Sequence, residues 1–146
     1  MVLLARRTRH RLLLALASVA CVLMCCGVFN WQSELHERQN QSKATAALTT
    51  YLKRVQATDY HAAYQQLCLD VLPEYTESDH AAFLREQRQF ASFSLGEPTI
   101  STGIDGTYLT FPVTLAYPDE TTGVVRLAVG LETDGPKVCD RYDWRR

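Results

Sequence analysis

Five cysteines carry the most reactive side chains in this chain of 146 residues, and their spacing divides them into two groups. Cys21, Cys25 and Cys26 lie close together in the most apolar stretch of the sequence, whereas Cys68 and Cys139 are widely separated. Cysteine thiols bind metals, form disulfides or accept a lipid, and the compartment in which the chain folds decides among these reactions. The apolar stretch must therefore be interpreted before the cysteines are.

The clustered cysteines lack the spacing of a metal site. Adjacent Cys25 and Cys26 would project about 100° apart on a helix, and no histidine or second cysteine pair lies near them in the sequence. In apolar surroundings a cysteine behaves as a small apolar side chain. The sequence therefore predicts that these thiols fill space within a membrane and bind no metal.

An uncharged run of 18 residues, 12–29, is long enough to cross a bilayer. As a helix it would be about 27 Å long, close to the roughly 30 Å of the hydrocarbon core. Trp31 is typical of the membrane interface, and arginines precede the run: Arg6, Arg7, Arg9 and Arg11. The positive-inside rule then predicts a cytoplasmic basic segment at 1–11, a single transmembrane anchor at 12–31 and an extracytoplasmic remainder.

Two alternatives to an uncleaved anchor stay open. Ser18 and Ala20 could supply the small residues of a signal-peptide cleavage site, although further apolar residues would then begin the mature chain. The second alternative is a lipid on one of the clustered cysteines, none of which follows a complete lipoprotein motif: Cys21, Cys25 and Cys26.

The composition is that of a folded domain and argues against nucleic-acid binding. With 47% hydrophobic and 21% charged residues, the chain is neither disordered nor of low complexity. After residue 30 there are 16 acidic and 11 basic residues, so this part is mildly acidic and has no basic cluster. Binding to phosphates needs basic residues that displace counterions, so no nucleic-acid partner is expected.

An extracytoplasmic location would place Cys68 and Cys139 in an oxidising compartment, where they can form a disulfide. Such a bond would close a loop of about 70 residues, which stabilises the fold by on the order of 4 kcal/mol in the chain-entropy model. The alternative is a pair of buried free thiols. A catalytic dithiol is not expected, because the sequence has no Cys-x-x-Cys motif.

The soluble part begins with a polar stretch at 32–43, which is a juxtamembrane spacer or an exposed continuation of the membrane helix. A first helix follows, because apolar residues recur every three or four positions from Ala44 to Val55. Thr58 and Asp59 interrupt this period, and Asp59 offers a cap for the next helix.

Two further helices are predicted. The second runs from Tyr60 to about Leu69 and turns Cys68 inward with its aromatic residues. The third runs from Asp79 to Phe90 and is capped by Thr76 or Ser78.

Beyond the helices the apolar period changes to two, which predicts strands. A first strand is interrupted at Gly96–Pro98, long strands cover Leu109–Tyr117 and Val125–Leu131, and a last strand covers Lys137–Trp144. The predicted fold class is therefore α+β, with three helices packed on an antiparallel sheet of about four strands in one domain, 44–146.

Six side chains are candidates for acid–base chemistry: Tyr60, His61, Tyr64, Asp70, His80 and Tyr108. A general base must reach its substrate and needs a partner or a desolvated setting that tunes its pKa. His61 is predicted to face solvent, and His80 lies in the first turn of the third helix, where Asp79 is an ordinary terminal charge. Tyr60 and Tyr64 are predicted to pack in the core, and we expect no catalytic, cofactor-binding or metal-binding residue.

The domain resembles the small nuclear transport factor 2-like (NTF2-like, or cystatin-like) domains of membrane-anchored, exported actinobacterial proteins. Two stretches carry the resemblance: ALTTYLKRVQATDYHAAYQQLC at 47–68 and TDGPKVCDRYDW at 133–144. The second helix of those domains shows an acidic and an aromatic residue before an Ala-Tyr pair, here Asp59, Tyr60, Ala63 and Tyr64. Their last strand often reads Gly-Trp-Lys-Val-Cys, and Pro136 replaces the tryptophan among matches at Gly135, Lys137, Val138 and Cys139.

The resemblance covers residues 44–144 and implies a cone-shaped fold with a pocket between helices and sheet. Residues expected to line that pocket are Tyr60, Tyr64, Tyr108 and Phe111. It says little about activity, because this fold hosts enzymes, ligand carriers and interaction modules. The anchor followed by such a domain also resembles, in architecture alone, proteins associated with mammalian-cell-entry lipid transporters.

Together these features predict a domain at the cell membrane without catalytic activity or cofactor. Its expected partners are the membrane, a protein complex of the cell envelope or an apolar small ligand. The alternative is a small enzyme of the isomerase or dehydratase type. A buried carboxylate or histidine facing a closed cavity of roughly a few hundred Å³ would mark the enzyme.

Overall fold

The computed structural model of the protein describes residues 36–68, 75–103 and 106–139. The chain forms two units, 1–39 and 40–146, and the elements below belong to the second unit apart from the start of the first helix. The predicted cytoplasmic segment and anchor lie outside the described residues. Among the residues that are described, no helix combines the length and the apolarity needed to span a membrane.

Helix α1 occupies residues 36–56, and its buried face confirms the predicted helical period. The residues buried on that face recur every three or four positions: Ala44, Leu48, Tyr51, Leu52 and Val55. Residues 36–43, which belong to the predicted spacer, lie in the same helix and are mostly exposed. An apolar stripe on one side of a helix is what allows it to cover a sheet.

The chain leaves α1 at the predicted break. Thr58 has a φ of 58°, in the left-handed region that a β-branched residue seldom adopts. Asp59 then caps helix α2, because its Oδ1 accepts a hydrogen bond from the Ala62 N–H at 3.2 Å. Its Oδ2 forms an ion pair with Arg54 Nη1 at 3.1 Å, which ties the cap to the last turn of α1.

Helix α2 spans Tyr60–Tyr64 and is shorter than the predicted helix, which extended to about Leu69. Beyond α2 the chain becomes extended, and Leu67 forms a parallel β-bridge with Val138. The Cys68 N–H donates to the Val138 carbonyl at 2.9 Å, and the Val138 N–H donates to the Gln66 carbonyl at 2.8 Å. The prediction of a longer helix is wrong, because these hydrogen bonds to a distant strand replace those of another helical turn.

Helix α3 spans Glu77–Glu86 and starts at the predicted cap, Thr76. Thr76 Oγ1 accepts from the Asp79 N–H at 3.2 Å, and Asp79 Oδ2 accepts from the Thr76 N–H at 3.1 Å, which completes a capping box. The helix ends earlier than predicted, because Gln87 is extended, with a ψ of 148°. Phe90 is buried beyond the end of the helix. Its ring packs edge to face against the Phe93 ring, with the two ring centroids 6.1 Å apart.

One antiparallel sheet contains the five described strands: β1 Ser92–Leu95, β2 Thr99–Gly103, β3 Gly106–Ala116, β4 Thr122–Glu132 and β5 Gly135–Val138. The order is β1-β3-β4-β5, and β2 also pairs with β3. Because β1 and β2 follow one another along the same side of β3, the sheet agrees with the prediction of about four strands. The predicted interruption at Gly96–Pro98 separates β1 from β2, and the remainder of the predicted last strand lies outside the described residues.

The core lies between the helices and one face of the sheet. Side chains of β3 and β4 alternate as predicted, and those on the inner face are buried: Leu109, Phe111, Val113, Leu115, Val125, Leu127 and Val129. They form a single cluster with the apolar face of α1 and with Leu84 of α3. The opposite face, called the outer face below, carries the alternate residues of each strand.

The predicted disulfide between Cys68 and Cys139 is confirmed. The two residues are 71 positions apart in sequence, and their Cα atoms lie 4.9 Å apart. The bridge packs against Gly130 on the outer face of β4, where an added Cβ would lie 2.7 Å from Cys139 Sγ. Position 130 must therefore lack a side chain for the bridge to lie against the sheet.

We expect Gly130→Ala to destabilise the protein by about 1–3 kcal/mol, because the new methyl group overlaps the disulfide. Chemical denaturation of the purified, oxidised protein would measure this loss. Gly103→Ala is the matched control, since no atom lies within 4 Å of its added Cβ. Equal unfolding free energies for the two variants would contradict the close packing of the bridge on β4.

Candidate functional site

The most unusual side chain of the described residues is His80, which is buried with only 3% of its surface exposed. Three aromatic rings surround its imidazole, with ring centroids 6.1 Å away for Tyr51, 6.0 Å for Tyr64 and 5.6 Å for Tyr75. Its Nε2 has no hydrogen-bond partner among the described residues. Buried polar atoms are nearly always paired, so this imidazole is a candidate functional group.

Separate elements bring these rings together. The capping box at Thr76 fixes where α3 begins and so turns His80 toward the core, one helical turn before the buried Leu84. Tyr51 comes from the buried face of α1, and Tyr64 is the last residue of α2. The Tyr64 hydroxyl donates to the Tyr75 carbonyl at 2.8 Å, which joins the end of α2 to the start of α3.

Burial lowers the pKa of His80 from 6.5 to about 4. A charged imidazolium loses its hydration among aromatic rings, so the neutral form is favoured there. At neutral pH this ring is therefore uncharged and can donate one hydrogen bond and accept another. It is a weak base under these conditions, because efficient general bases have a pKa near the working pH.

A second feature is a groove that opens to solvent between the ends of α1, α2 and α3. Its lining residues are Val55, Gln56, Tyr60, Leu84, Gln87, Arg88, Gln89 and Phe90, and the space among them is about 290 Å³, including solvent at its mouth. We call this feature the glutamine groove. No carboxylate, histidine or cysteine is among its lining residues.

Hydrogen bonds and a cation–π contact shape the glutamine groove. The Gln56 side-chain amide donates to the Ala91 carbonyl, and the Gln87 amide donates to the Phe83 carbonyl at 3.4 Å. The Arg85 guanidinium lies over the Tyr60 ring, 5.6 Å from its centroid. Two glutamines are thus held in place by the backbone, and an arginine covers the aromatic side.

Arg88 connects the glutamine groove to the turn between β3 and β4. Its guanidinium lies 4.3 Å from the ring centroid of Tyr117, donates to Thr121 Oγ1 at 3.0 Å and forms an ion pair with Asp119. This arginine, together with hydrogen bonds from Thr121, lowers the pKa of Asp119 to about 2. Asp119 therefore stays ionised across the neutral pH range and keeps the charge that pairs with Arg88.

The structure distributes the four predicted pocket residues over four different places. Tyr60 lines the glutamine groove, and Tyr64 contacts His80. Phe111 is fully buried in the core, whereas Tyr108 lies on the outer face of the sheet, close to Gly130 and the disulfide. No two of these four residues line the same site.

Two other predicted candidates for acid–base chemistry are His61 and Asp70. His61 faces solvent as predicted, and its Nδ1 lies 2.9 Å from Glu77 Oε1. Asp70 lies outside the described residues. No cluster of three or more metal-binding side chains occurs among the described histidines, cysteines and acidic residues.

Sequence reasoning did not predict the burial of His80. A signal was present, because His80 and Leu84 are one helical turn apart and both fall on the inward side once Thr76 is taken as the cap. Predicting the helix start at Asp79 obscured this relation. The three tyrosines around the ring come from separate parts of the chain, so their meeting has no local signature.

Comparison with known proteins identifies no family. The sequence matches no family model and no curated protein. Among solved structures it is similar to a chain described as a candidate NTF2-like transpeptidase from Campylobacter jejuni, with a TM-score of 0.44 and 10% identity. That match covers 63% of this chain and 93% of the other. A similarity at this level assigns neither a family nor an activity.

Acid is expected to destabilise the protein through His80. The unfolded chain takes up a proton near pH 6.5, whereas the folded chain resists it until about pH 4. Stability that is fully present at pH 7 is therefore lost progressively as the pH falls through this window. Between pH 7 and 4 we expect the unfolding free energy of the wild type to fall by about 3 kcal/mol more than that of His80→Leu. Urea denaturation at each pH would measure both losses.

His61→Gln is the control for this comparison, because it removes an exposed histidine and retains His80. It should keep the acid sensitivity of the wild type. The interpretation fails if His80→Leu and the wild type lose the same stability over this range.

Proposed function

We propose that this chain is a membrane-anchored binding protein of the cell envelope with a domain of the NTF2-like type. In this proposal residues 12–31 form the anchor, and residues 44–146 lie outside the cytoplasm, where they engage a protein partner or an apolar ligand without catalysis. The helices packed on an antiparallel sheet support the fold type. The anchor rests on the sequence, because it lies outside the described residues.

The disulfide supports an extracytoplasmic location for the domain. Cytosolic thiols are kept reduced, whereas exported domains form and keep such bonds. Cys68 is buried, and the bridge connects two segments that also share backbone hydrogen bonds. A bond in this position is a structural element of the fold and is best explained by folding in an oxidising compartment.

The single observation that carries the non-catalytic proposal is the lining of the glutamine groove. An acid–base enzyme needs a titratable group that reaches its substrate, and the lining of the groove contains no carboxylate, histidine or cysteine. It offers amides, an arginine, apolar side chains and Tyr60, whose ring lies under the Arg85 guanidinium. Amides donate and accept hydrogen bonds without changing charge. Such a surface binds a partner through hydrogen bonds at its rim and apolar contacts in its floor.

The groove fits a protein partner better than a wholly apolar ligand. Leu84 and Phe90 are buried in its floor, whereas Gln89 and Arg88 are exposed at its rim. A ligand without polar groups that covered Gln89 would remove its amide from water without a new partner, which costs about 1–3 kcal/mol. A peptide segment with an apolar side chain between backbone amides meets both requirements.

His80 favours a second candidate function, a small enzyme of the isomerase or dehydratase type. A buried imidazole with an unpartnered Nε2 could hold a polar group of a substrate in a water-poor setting. Its lowered pKa and its three tyrosine neighbours argue against a role as base at neutral pH. Retained partner binding in His80→Leu would separate the binding function from this alternative.

Protease added to intact cells is expected to digest the domain, because the anchor places it outside the cytoplasm. Antibodies to the domain would follow its loss, with a known surface protein and a cytoplasmic protein as controls. Survival of the domain while the surface control is digested would contradict the proposed location.

A photo-crosslinking residue at position 89 is expected to join the chain to a partner protein in intact cells, because Gln89 lines the groove. The matched control is position 124, where Val124 is 64% exposed on the outer face of β4. Mass spectrometry would identify the adducts. Adducts that form equally at both positions, or at position 124 alone, would contradict partner binding at the groove.

A further inference from the structure

Strand β2, Thr99–Gly103, is exposed along its whole length and forms one edge of the sheet. Within the described part of the chain it pairs with β3, and its other side meets no strand. It contains no charged residue, and three of its residues, Thr99, Ile100 and Thr102, are β-branched. An uncharged edge of this kind is a template for another strand, and natural proteins usually block it.

The hydrogen bonds of β3 establish which groups β2 presents to solvent. Tyr117 donates to Thr121 on the β4 side, whereas the Pro112 carbonyl accepts from Gly96 on the other side. Even-numbered residues of β3 therefore face β2. Because Tyr108 is opposite Ser101 in the register, Ser101 bonds to β3, and the N–H and C=O groups of Ile100 and Thr102 point outward.

The opposite edge of the sheet, β5, is protected against pairing with another strand, in contrast to β2. Residues 66–68 cover β5 through two backbone hydrogen bonds with Val138. Pro136 and Lys137 in β5 are the residue types that block further pairing. The β5 edge is thus covered by residues 66–68 and also contains a proline and a lysine. Within the described part of the chain, strand β2 has no such cover, and it contains no proline and no lysine.

We propose that β2 is a dimerisation strand, which pairs antiparallel with β2 of a second copy of this chain about a two-fold axis at Ser101. In this register Ile100 lies opposite Thr102 of the second copy, and each such pair exchanges two backbone hydrogen bonds. The interface therefore gains about four backbone hydrogen bonds. Ser101 lies opposite Ser101 of the second copy, and these two residues exchange no backbone hydrogen bond.

The sequence of β2 is suited to pairing with itself. In a two-fold interface a charge close to the axis lies near the equal charge of its own copy, and β2 has no charges to repel one another. Ile100, which is 49% exposed, becomes the diagonal neighbour of its copy on one face of the joined sheet. Pro98, which has no N–H, and the acidic residue Glu97 precede β2 and limit the pairing at that end of the strand.

The axis at Ser101 provides a direct test in the full-length chain. Across a non-hydrogen-bonded pair the two Cα atoms lie about 4.5 Å apart, which is within the range for a disulfide. Ser101→Cys in membranes treated with a mild oxidant is therefore expected to give a disulfide-linked dimer on non-reducing gels. The wild-type chain supplies the background from its other cysteines.

Two variants make the test specific. Thr99→Cys is the matched control, because Thr99 would lie opposite Gly103 of the second copy and should link at least tenfold less. Thr102→Pro in the Ser101→Cys chain removes an outward N–H and leaves the backbone hydrogen bonds to β3 in place, so it should abolish the linked dimer. It also removes the side-chain hydrogen bond between Thr102 Oγ1 and Thr107 Oγ1, which are 3.4 Å apart. Ile100→Lys, which places two charges at the interface, serves the same purpose if the proline variant fails to form the Cys68–Cys139 bond.

Several results would overturn the proposal. They are no linked species above the wild-type background, equal linking by Thr99→Cys and Ser101→Cys, or linking that persists in both Thr102→Pro and Ile100→Lys. A Ser101→Cys adduct whose mass is not that of two copies would also overturn it, because another protein would then occupy the edge. Protease access to intact cells is measured separately, so failure here leaves the proposed location unaffected.

Discussion

The connection between residues 66–68 and β5 determines where the rest of the helix layer lies. Helix α2 has five residues, too few for a helix to be stable by itself. Its end is fixed because the chain that follows bonds to Val138 and is joined covalently to Cys139. That attachment places Tyr64 beside Tyr75 and His80, so the surroundings of the buried imidazole depend on a disulfide on the far side of the sheet.

Local signals in the sequence were sufficient for much of this architecture. The period of α1 from Ala44 to Val55, the alternation around Phe111 and the caps at Asp59 and Thr76 each involve residues close in sequence, and the structure confirms them. The end of α2 was missed because its competing hydrogen bonds come from Val138, far along the chain. The burial of His80 was missed because the predicted helix start at Asp79 obscured its relation to Leu84, and the tyrosine rings around it come from separate elements.

The candidate site separates two kinds of polar chemistry. One histidine is withdrawn from water, so it is neutral and holds a fixed position among aromatic rings. The glutamine groove keeps its hydrogen-bonding groups at the surface, where Arg88 and Asp119 bind the neighbouring turn to it. A domain built in this way offers a surface of constant charge to a partner while its titratable core group contributes to stability. This division favours the proposed binding function over acid–base catalysis.

The order of elements along the chain has a consequence for synthesis. A ribosome produces α1, α2 and α3 before any strand, yet the apolar stripe of α1 is covered by β3 and β4. Leu48 and Leu52 therefore remain exposed to water in the nascent chain until β3 and β4 have been synthesised and can cover them. During that delay the partner thiol of Cys68, Cys139, has not yet been synthesised. Faithful maturation of this protein thus depends on timing as well as on its final contacts.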